Sequence, residues 1–176
     1  AEARVAESER FLRRVLDQLF AFVGVLTPDG ALVEANREPL ERAGLTIDDV
    51  RGRAFWDAPW WSYDAAVQAG VRDAVRRAAR GETVRYDVPA ALGARPDGAP
   101  NPVVIDFMLA PLRDDAGRVT HLVPSAVDVS DRVAALAAAE AARRMAEAER
   151  ARAAEAQQAA EAASRAKSDF LATMSH

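Results

Sequence analysis

Residues 22–36 read FVGVLTPDGALVEAN, and this stretch decides the fold of the first part of the chain. A short apolar run, 22–26, and the mostly apolar residues 31–35 flank the turn sequence Thr-Pro-Asp-Gly at 27–30. Apolar runs of this length are typical of strands, and Pro and Asp-Gly sequences favour tight turns. The stretch therefore predicts a β-hairpin, and Asn36 at its end is expected to begin a short helix.

The residues before the hairpin, 1–20, predict an amphipathic helix. Large apolar residues recur there at spacings of three and four, with Arg and Glu between them, which gives a helix one apolar face. They are Val5, Phe11, Leu12, Val15, Leu16 and Leu19. The helix is expected to span about residues 3–19.

The residues after the hairpin predict one longer helix and then three strands. The helix is expected over residues 63–80 and ends at Gly81, and the Gly- and Pro-rich residues 94–102 are expected to form a loop. Strands are predicted at 83–90, 103–112 and 119–129. Strands that come in blocks, rather than alternating with helices, indicate an antiparallel α+β sheet instead of a doubly wound one.

The residues from Asp131 to the C-terminus predict a single long helix. This segment contains no Gly or Pro, and 18 of the 33 residues from Ala134 to Ala166 are Ala, the strongest helix former. At about 1.5 Å per residue, the helix would be roughly 70 Å long. Its few large apolar residues are Leu136, Met145, Phe170, Leu171 and Met174.

A second copy of the chain is the partner expected to cover those apolar residues, in a parallel coiled coil. The seam of such a coiled coil would be mostly Ala, which buries little area per turn and holds one register only weakly. A solvated single helix that acts as a spacer is the alternative for the middle of this segment.

Composition excludes several classes of site. The chain has no Cys, which excludes a disulfide, a thiolate zinc site, a Cys nucleophile and any flavin adduct that needs a thiol. Its two His residues, His121 and His176, have no second nitrogen or sulfur ligand near them in sequence, which argues against a transition-metal site. His121 lies in a predicted strand and is expected to be structural or at the surface. The common catalytic signatures are missing, so a free-standing enzyme is not expected.

Charge and hydropathy limit the expected partners. The net charge is −4, and Lys and Arg form no clustered stripe, so no nucleic-acid surface is expected. No apolar run is long enough to span a bilayer, and the N-terminal sequence AEARVAESERF is acidic where a signal peptide would be basic. The chain is therefore expected to be cytoplasmic, within a parent protein that could be membrane-associated.

Four bulky aromatic residues lie close together between residues 55 and 61, and another lies at position 107. They could line a cavity for a small-molecule ligand, or they could fill the hydrophobic core. Core filling is favoured, because large aromatic residues dominate the packing of small domains. The candidate ligand-binding residues are Phe55, Trp56, Trp60, Trp61 and Phe107.

The element order, the hairpin that leads to Asn36, and the sequence Asp-Val-Ser-Asp-Arg at 128–132 resemble a PAS domain over about residues 9–132. The last of these sequences is similar to the family's D-[IV]-[TS]-x-R exit into a signalling helix. This similarity makes Asp128 and Arg132 the candidate signal-exit residues.

The resemblance implies a PAS fold, a five-stranded antiparallel sheet with flanking helices, for residues 21–130. The resemblance also argues against two cofactors that are known in this family. Photoactive flavin PAS domains use a cysteine that this chain lacks, and haem PAS domains hold iron through a histidine that the predicted helix 63–80 lacks. A small-molecule ligand of unknown identity and a ligand-free dimerisation module are the two functions that stay open for this domain.

Residues 165–176, RAKSDFLATMSH, resemble the H-box of bacterial sensor histidine kinases. The resemblance implies that His176 is a phosphoacceptor, phosphorylated from ATP, which passes the phosphoryl group to a response-regulator receiver domain. A neutral imidazole is nucleophilic near pH 7 without prior deprotonation, as this role requires. ATP and Mg²⁺ would bind only in a kinase domain that this chain lacks, so the fragment is expected to be inactive alone. Residues 131–164 would then be the coiled-coil linker.

Overall fold

The computed structural model describes residues 2–18 and 21–175, which form two compact units, one ending at Ser130 and the other beginning at Asp131. The helices are α1 (Glu2–Asp17), α2 (Arg37–Arg42), α3 (Ile47–Val50), α4 (Ala65–Ala79) and α5 (Ser130–Met174), and a 3₁₀ turn lies at Phe55–Asp57. The strands are β1 (Phe22–Leu26), β2 (Leu32–Ala35), β3 (Val84–Ala94), β4 (Pro100–Arg113) and β5 (Val119–Asp128).

The strands form one antiparallel sheet in the order β2-β1-β5-β4-β3. Because β1 pairs with β5, the N-terminal hairpin and the three later strands join into a single sheet. Phe107 in β4 lies opposite Tyr86 of β3 and Ala126 of β5, which places it on an interior strand of the sheet. The predicted antiparallel α+β architecture is confirmed.

The loop predicted at 94–102 is shorter in the structure, because β3 and β4 continue into its two ends. The ladder runs past Gly93 until Ala94 lies opposite Pro100, and only residues 95–99 form the turn. Gly93 has a φ of 108°, and the register of the ladder shifts beside it. A bulge at this glycine therefore lets the two strands continue where Gly and Pro suggest a break.

One face of the sheet carries the hydrophobic core. Side chains alternate along β4, so that Ile105, Phe107 and Leu109 are buried on this face. Helix α4 packs against it and begins after Asp64, whose carboxylate accepts two backbone hydrogen bonds from the first turn. The helix predicted at 63–80 is thus confirmed with slightly shorter bounds.

The N-terminal helix is confirmed, and much of its predicted apolar face is open to solvent in the single chain. Phe11 is 61% exposed, Leu12 56% and Val15 43%. Leu19 and the side chain of Val5 lie outside the described residues. The helix therefore presents large apolar side chains that no described part of the chain covers.

Asn36 lies where the sequence predicts the start of a helix, but its side chain does not cap α2. Its Oδ1 accepts a hydrogen bond from the backbone N–H of Val23 at 2.9 Å. Its Nδ2 donates to the backbone carbonyls of Ala21 and Leu16, at 2.8 and 3.2 Å. The buried amide thus fastens the end of α1 and the start of β1 to the end of the hairpin.

Asn36→Ala is expected to lower the free energy of unfolding by about 2–3 kcal/mol, because three hydrogen bonds are lost and the partly buried Val23 N–H is left without this acceptor. Urea unfolding followed by tryptophan fluorescence measures the change. Asn101→Ala, an exposed site on β4, is the control and should change stability by less than about 0.5 kcal/mol. Equal losses in both variants would contradict the role given to Asn36.

Helix α5 is 45 residues long, which corresponds to about 68 Å. The predicted long helix is confirmed, and none of its residues is buried in the single chain. Leu136, Met145 and Phe170 are 59–70% exposed.

No helix within the described residues combines the length and the apolar character that a membrane span requires. His176 lies outside the described residues, and the coiled coil stays a prediction.

Candidate functional site

A small cavity of about 50 Å³ lies in the core between the sheet and the segment that follows α3. Four of the five aromatic residues singled out in the sequence line it, namely Phe55, Trp60, Trp61 and Phe107. Each of them is at most 5% exposed. These four side chains are therefore buried in the core and also form part of the cavity wall, so the two alternatives given from the sequence do not exclude each other.

These aromatic rings contact one another directly. The Phe55 ring lies 5.5 Å from Trp61 and 6.3 Å from Phe107, between ring centroids. The Trp61 and Phe107 rings meet edge to face at 5.6 Å. Such contacts are favourable beyond the area they bury, so the rings hold a defined arrangement around the cavity.

Trp56 does not line this cavity. Its ring lies instead beside the hairpin turn, with the Arg72 guanidinium 5.5 Å from the ring centroid. A Cβ added at Gly30 would come within 2.5 Å of the Trp56 ring, and Gly30 has a φ of 91°. Trp56 therefore packs against the one residue of the turn that must lack a side chain.

Most of the cavity wall comes from residues that the sequence interpretation did not single out. Some of these, such as Ile105, could have been found from the alternation of buried and exposed residues along β4. The other wall residues could not have been found in this way, because their place in the wall depends on which strands become neighbours. The remaining wall residues are Phe22, Val23, Gly24, Leu32, Ala35, Pro39, Ala90, Leu92, Pro124, Ser125 and Ala126.

The wall of the cavity is almost entirely apolar, and its size limits what it can hold. A cavity of about 150 Å³ holds benzene, and this cavity is about a third of that size. In this arrangement of the core, a flavin or a haem does not fit. Within residues 2–18 and 21–175, no group of His, Cys, Asp or Glu is placed to hold a metal ion. The site suits a small, neutral molecule.

The predicted signal-exit residue Asp128 lies at the end of β5, where it accepts two kinds of hydrogen bond. Its Oδ2 accepts from the Arg42 guanidinium at 3.0 Å, and its Oδ1 accepts from the backbone N–H of Ser130 at 3.0 Å. The Ser130 hydroxyl oxygen accepts from the Val104 N–H at 3.0 Å. Arg132, the other predicted residue, lies in the first turn of α5. These contacts fix the residues where α5 begins.

Arg42 is a functional candidate that the sequence interpretation missed. It is the last residue of α2, and its guanidinium carbon lies 5.5 Å from the centroid of the Phe22 ring, which is part of the cavity wall. Pro39 of the same helix also lines the cavity and accepts a hydrogen bond from the Trp60 indole at 3.0 Å. Helix α2 thus contacts both the cavity and Asp128.

The pKa of Asp128 is lower than its ordinary value. Partial burial acts to raise it, but the hydrogen bonds from Ser130 and Arg42 and the charge of Arg42 together outweigh the burial. A carboxylate whose pKa is depressed by folding stabilises the protein above its unfolded pKa of about 3.9. That stabilisation is lost as the pH falls through the lower, folded value.

Asp128→Asn is expected to lower the free energy of unfolding at pH 7 by about 1 kcal/mol, because the charged contacts with Arg42 and Ser130 are weakened. The difference from the parent chain should shrink as the pH is lowered below about 3.9. Urea unfolding at pH 7 and at acid pH checks both parts. The control is Asp115→Asn, in the exposed turn before β5. A loss at Asp128 that does not change with pH would contradict the prediction.

The family model described as PAS fold matches residues 16–134. The sensor histidine kinase TmoS of Ectopseudomonas mendocina is 32% identical over 168 residues, which are 96% of this chain and 16% of TmoS. The hybrid signal transduction histidine kinase D of Dictyostelium discoideum is 30% identical over 128 residues, which are 73% of this chain and 8% of that protein. The chain thus spans less than a fifth of either relative.

Solved structures share the fold. The PAS domain of BvgS from Bordetella pertussis is 18% identical, with a TM-score of 0.56, and the match covers 79% of this chain and 98% of that domain. At this level of identity the likeness shows the fold alone. It confirms the predicted arrangement of an antiparallel sheet with flanking helices.

Proposed function

The chain belongs to the PAS family, and from that membership we propose that it is the sensory region of a sensor histidine kinase. The main support for this proposal is the length over which the chain is similar to TmoS. That match covers 168 of 176 residues, whereas the family model ends at residue 134, so the similarity must continue along most of α5. A PAS domain joined to this helix and to the H-box sequence at 165–176 is the arrangement that such a sensor needs.

In this proposal the cavity receives the signal and α2 transmits it. A ligand that moves Trp60 would move Pro39, because the indole donates to the Pro39 carbonyl. Arg42 at the other end of α2 would then shift relative to Asp128 and change how the start of α5 is held. The path is short and consists of direct contacts, so a small displacement at the cavity can reach the exit.

The output of the proposed sensor is phosphorylation of His176. A ring nitrogen of the neutral imidazole attacks the γ-phosphorus of ATP, the N–P bond forms, and ADP leaves with the electrons of the broken P–O bond. The phosphoryl group then passes to a carboxylate of a receiver domain. ATP and Mg²⁺ belong to the kinase domain, and because that domain would use ATP we expect this region to lie in the cytoplasm.

The helix α5 joins the sensor to His176, and we expect two copies to form a parallel dimer. The exposed Leu136, Phe170 and Leu171 favour this state, because pairing removes their apolar surface from water. The Ala-rich seam holds one register weakly, so two packings of the helix pair lie close in free energy. A change at Asp128 could then shift the balance between them.

The dimer is tested by replacing Ala139, Ala146 and Ala160 with Leu, since these residues share one face of α5. Sedimentation should show a dimer at micromolar concentration, and the Leu variant should bind itself at least about tenfold more tightly. The matched control moves the same three substitutions to the opposite face, at Ala141, Ala148 and Ala162, and should not tighten the dimer. A parent chain that is monomeric at that concentration, or equal tightening by both triples, would contradict the paired helix.

A ligand-free dimerisation module is the second candidate function. The exposed apolar face of α1 favours it, because Phe11, Leu12 and Val15 would be covered in a dimer. The two functions differ in their response to small molecules. A compound that raises the melting temperature by filling the cavity supports sensing, whereas a dimer that no small molecule stabilises supports the module.

A further inference from the structure

The bulge in β3 lies beside the wall of the cavity. Leu92 and Gly93 together lie opposite the single residue Asn101 of β4, which is how the extra residue enters the ladder. Leu92 is 7% exposed and is part of the cavity wall. Bulges change the direction of the side chains around them and are conspicuous next to functional sites. The residue that Gly93 contacts is therefore connected to the cavity wall through one peptide bond.

Gly93 approaches the C-terminal end of α2 closely. A Cβ added at Gly93 would lie 3.0 Å from the backbone carbonyl oxygen of Arg42, a separation at which the neighbour has to give way by a few tenths of an ångström. The φ of Gly93, 108°, is also one that residues with a side chain rarely adopt. The bulge and α2 thus meet at a point where only glycine fits without displacement.

Arg42, which the bulge meets through its backbone, holds the signal exit through its side chain. The guanidinium donates to Oδ2 of Asp128 at 3.0 Å. Along the sheet, by contrast, Asp128 lies opposite Ile105, and Ile105 lies opposite Val88, five residues before Gly93. Five residues of strand span roughly 17 Å. Arg42 is therefore the short connection between the bulge and Asp128.

We propose that Gly93 is a positioning residue of the signal exit, which sets how closely α2 approaches β3 and thereby how Arg42 reaches Asp128. The inference rests on the proposed sensing function and gives the cavity wall a second connection to the exit, through Leu92, beside the one that the Trp60 indole provides. A displacement of Leu92 would move the bulge, and the bulge would press on the end of α2 or release it. An ion pair weakens as its atoms separate, so this movement changes how firmly Asp128 is held.

Titration of Asp128 by carboxyl-carbon NMR in the 176-residue chain tests the proposal. Burial acts to raise the pKa of Asp128, and the Arg42 charge is among the effects that lower it. Arg42→Gln should therefore raise this pKa, and the size of the rise is the full effect of losing the contact. Gly93→Ala should reproduce at least about a quarter of that rise, because the added methyl group displaces the end of α2 and lengthens the ion pair.

Gly98→Ala is the matched control in the same hairpin. Gly98 also has a positive φ, 82°, but a Cβ there would meet no atom of the described residues within 4 Å. The substitution therefore introduces the same kind of backbone strain without the contact to Arg42. The titration of Asp128 should stay as in the parent chain.

A second measurement leaves the bulge unchanged, so it applies even if Gly93→Ala does not fold. Asp128→Asn weakens the same ion pair from its other side. Because coupling between two sites is reciprocal, the change should reach the bulge through Arg42. The backbone amide NMR signal of Gly93 should shift, and that of Gly98 should not.

The possible results separate this inference from the sensing proposal. A titration of Asp128 in Gly93→Ala that matches the parent chain, or that matches Gly98→Ala, would overturn the inference alone. Where Gly93→Ala does not fold, an unshifted Gly93 signal in Asp128→Asn would overturn it in the same way. An unchanged Asp128 pKa in Arg42→Gln would instead overturn the Arg42 contact itself, and with it the proposed route from the cavity to α5.

Discussion

His176→Gln is expected to abolish autophosphorylation of a full-length kinase that carries this chain. Gln keeps the size and polarity of the side chain but has no nucleophilic ring nitrogen, so no N–P bond can form. The loss should be complete within detection. Incubation with labelled ATP, followed by acid treatment, measures it, because a phosphoramidate is labile in acid whereas phosphoserine is stable.

His121→Gln is the matched control, since His121 is the other histidine of the chain. It lies in β5 opposite Leu112, far along the chain from the H-box sequence. Label should be retained at the level of the unmodified kinase. Acid-labile label that persists in His176→Gln would contradict the assignment of the phosphoacceptor.

Phe107→Ala is expected to lower the free energy of unfolding of the PAS domain by about 3–5 kcal/mol, the largest stability loss proposed for this chain. Phe107 is 1% exposed and lies against the rings of Phe55, Trp61 and Tyr86 at 5.6–6.3 Å between centroids. Truncation removes these contacts and enlarges the cavity beside them. Urea unfolding followed by tryptophan fluorescence reports the loss.

Phe170→Ala is the control for the same chemical change at an exposed site. Phe170 is 62% exposed on α5, so its truncation should change the stability of the PAS domain by less than about 0.5 kcal/mol. A cost below about 1 kcal/mol for Phe107→Ala would mean that this ring is not part of the packed core.

The local features of this fold could be predicted from the sequence. The hairpin at 22–35 was predictable because its turn residues and apolar runs are adjacent in the chain. The bulge at Gly93 was not, because Gly and Pro mark loops and bulges alike until the partner strand is known. The contact between Arg42 and Asp128 joins residues 86 positions apart, and many charged pairs in this chain would have looked equally plausible.

In the candidate site too, features that are local in the sequence could be predicted, whereas contacts between distant residues could not. The aromatic cluster at 55–61 pointed to the core, but only the structure separates Trp56, beside the turn, from Trp60 and Trp61, in the cavity wall. Likewise, Asn36 looked like a helix cap because Asn is common there. Its bonds to Val23 and to the end of α1 depend on how the hairpin meets the N-terminal helix.

Phosphorylation of His176 in kinases with a lengthened α5 tests most directly whether the PAS domain acts through this helix. Insertion of two Ala residues after Ala154 rotates everything beyond it by about 200°, whereas duplication of residues 148–154 adds about 700° and nearly restores the original phase. The account predicts that the seven-residue duplication keeps the phosphorylation level of the uninserted kinase and that the two-residue insertion changes it severalfold. Equal phosphorylation in both insertion variants would contradict it.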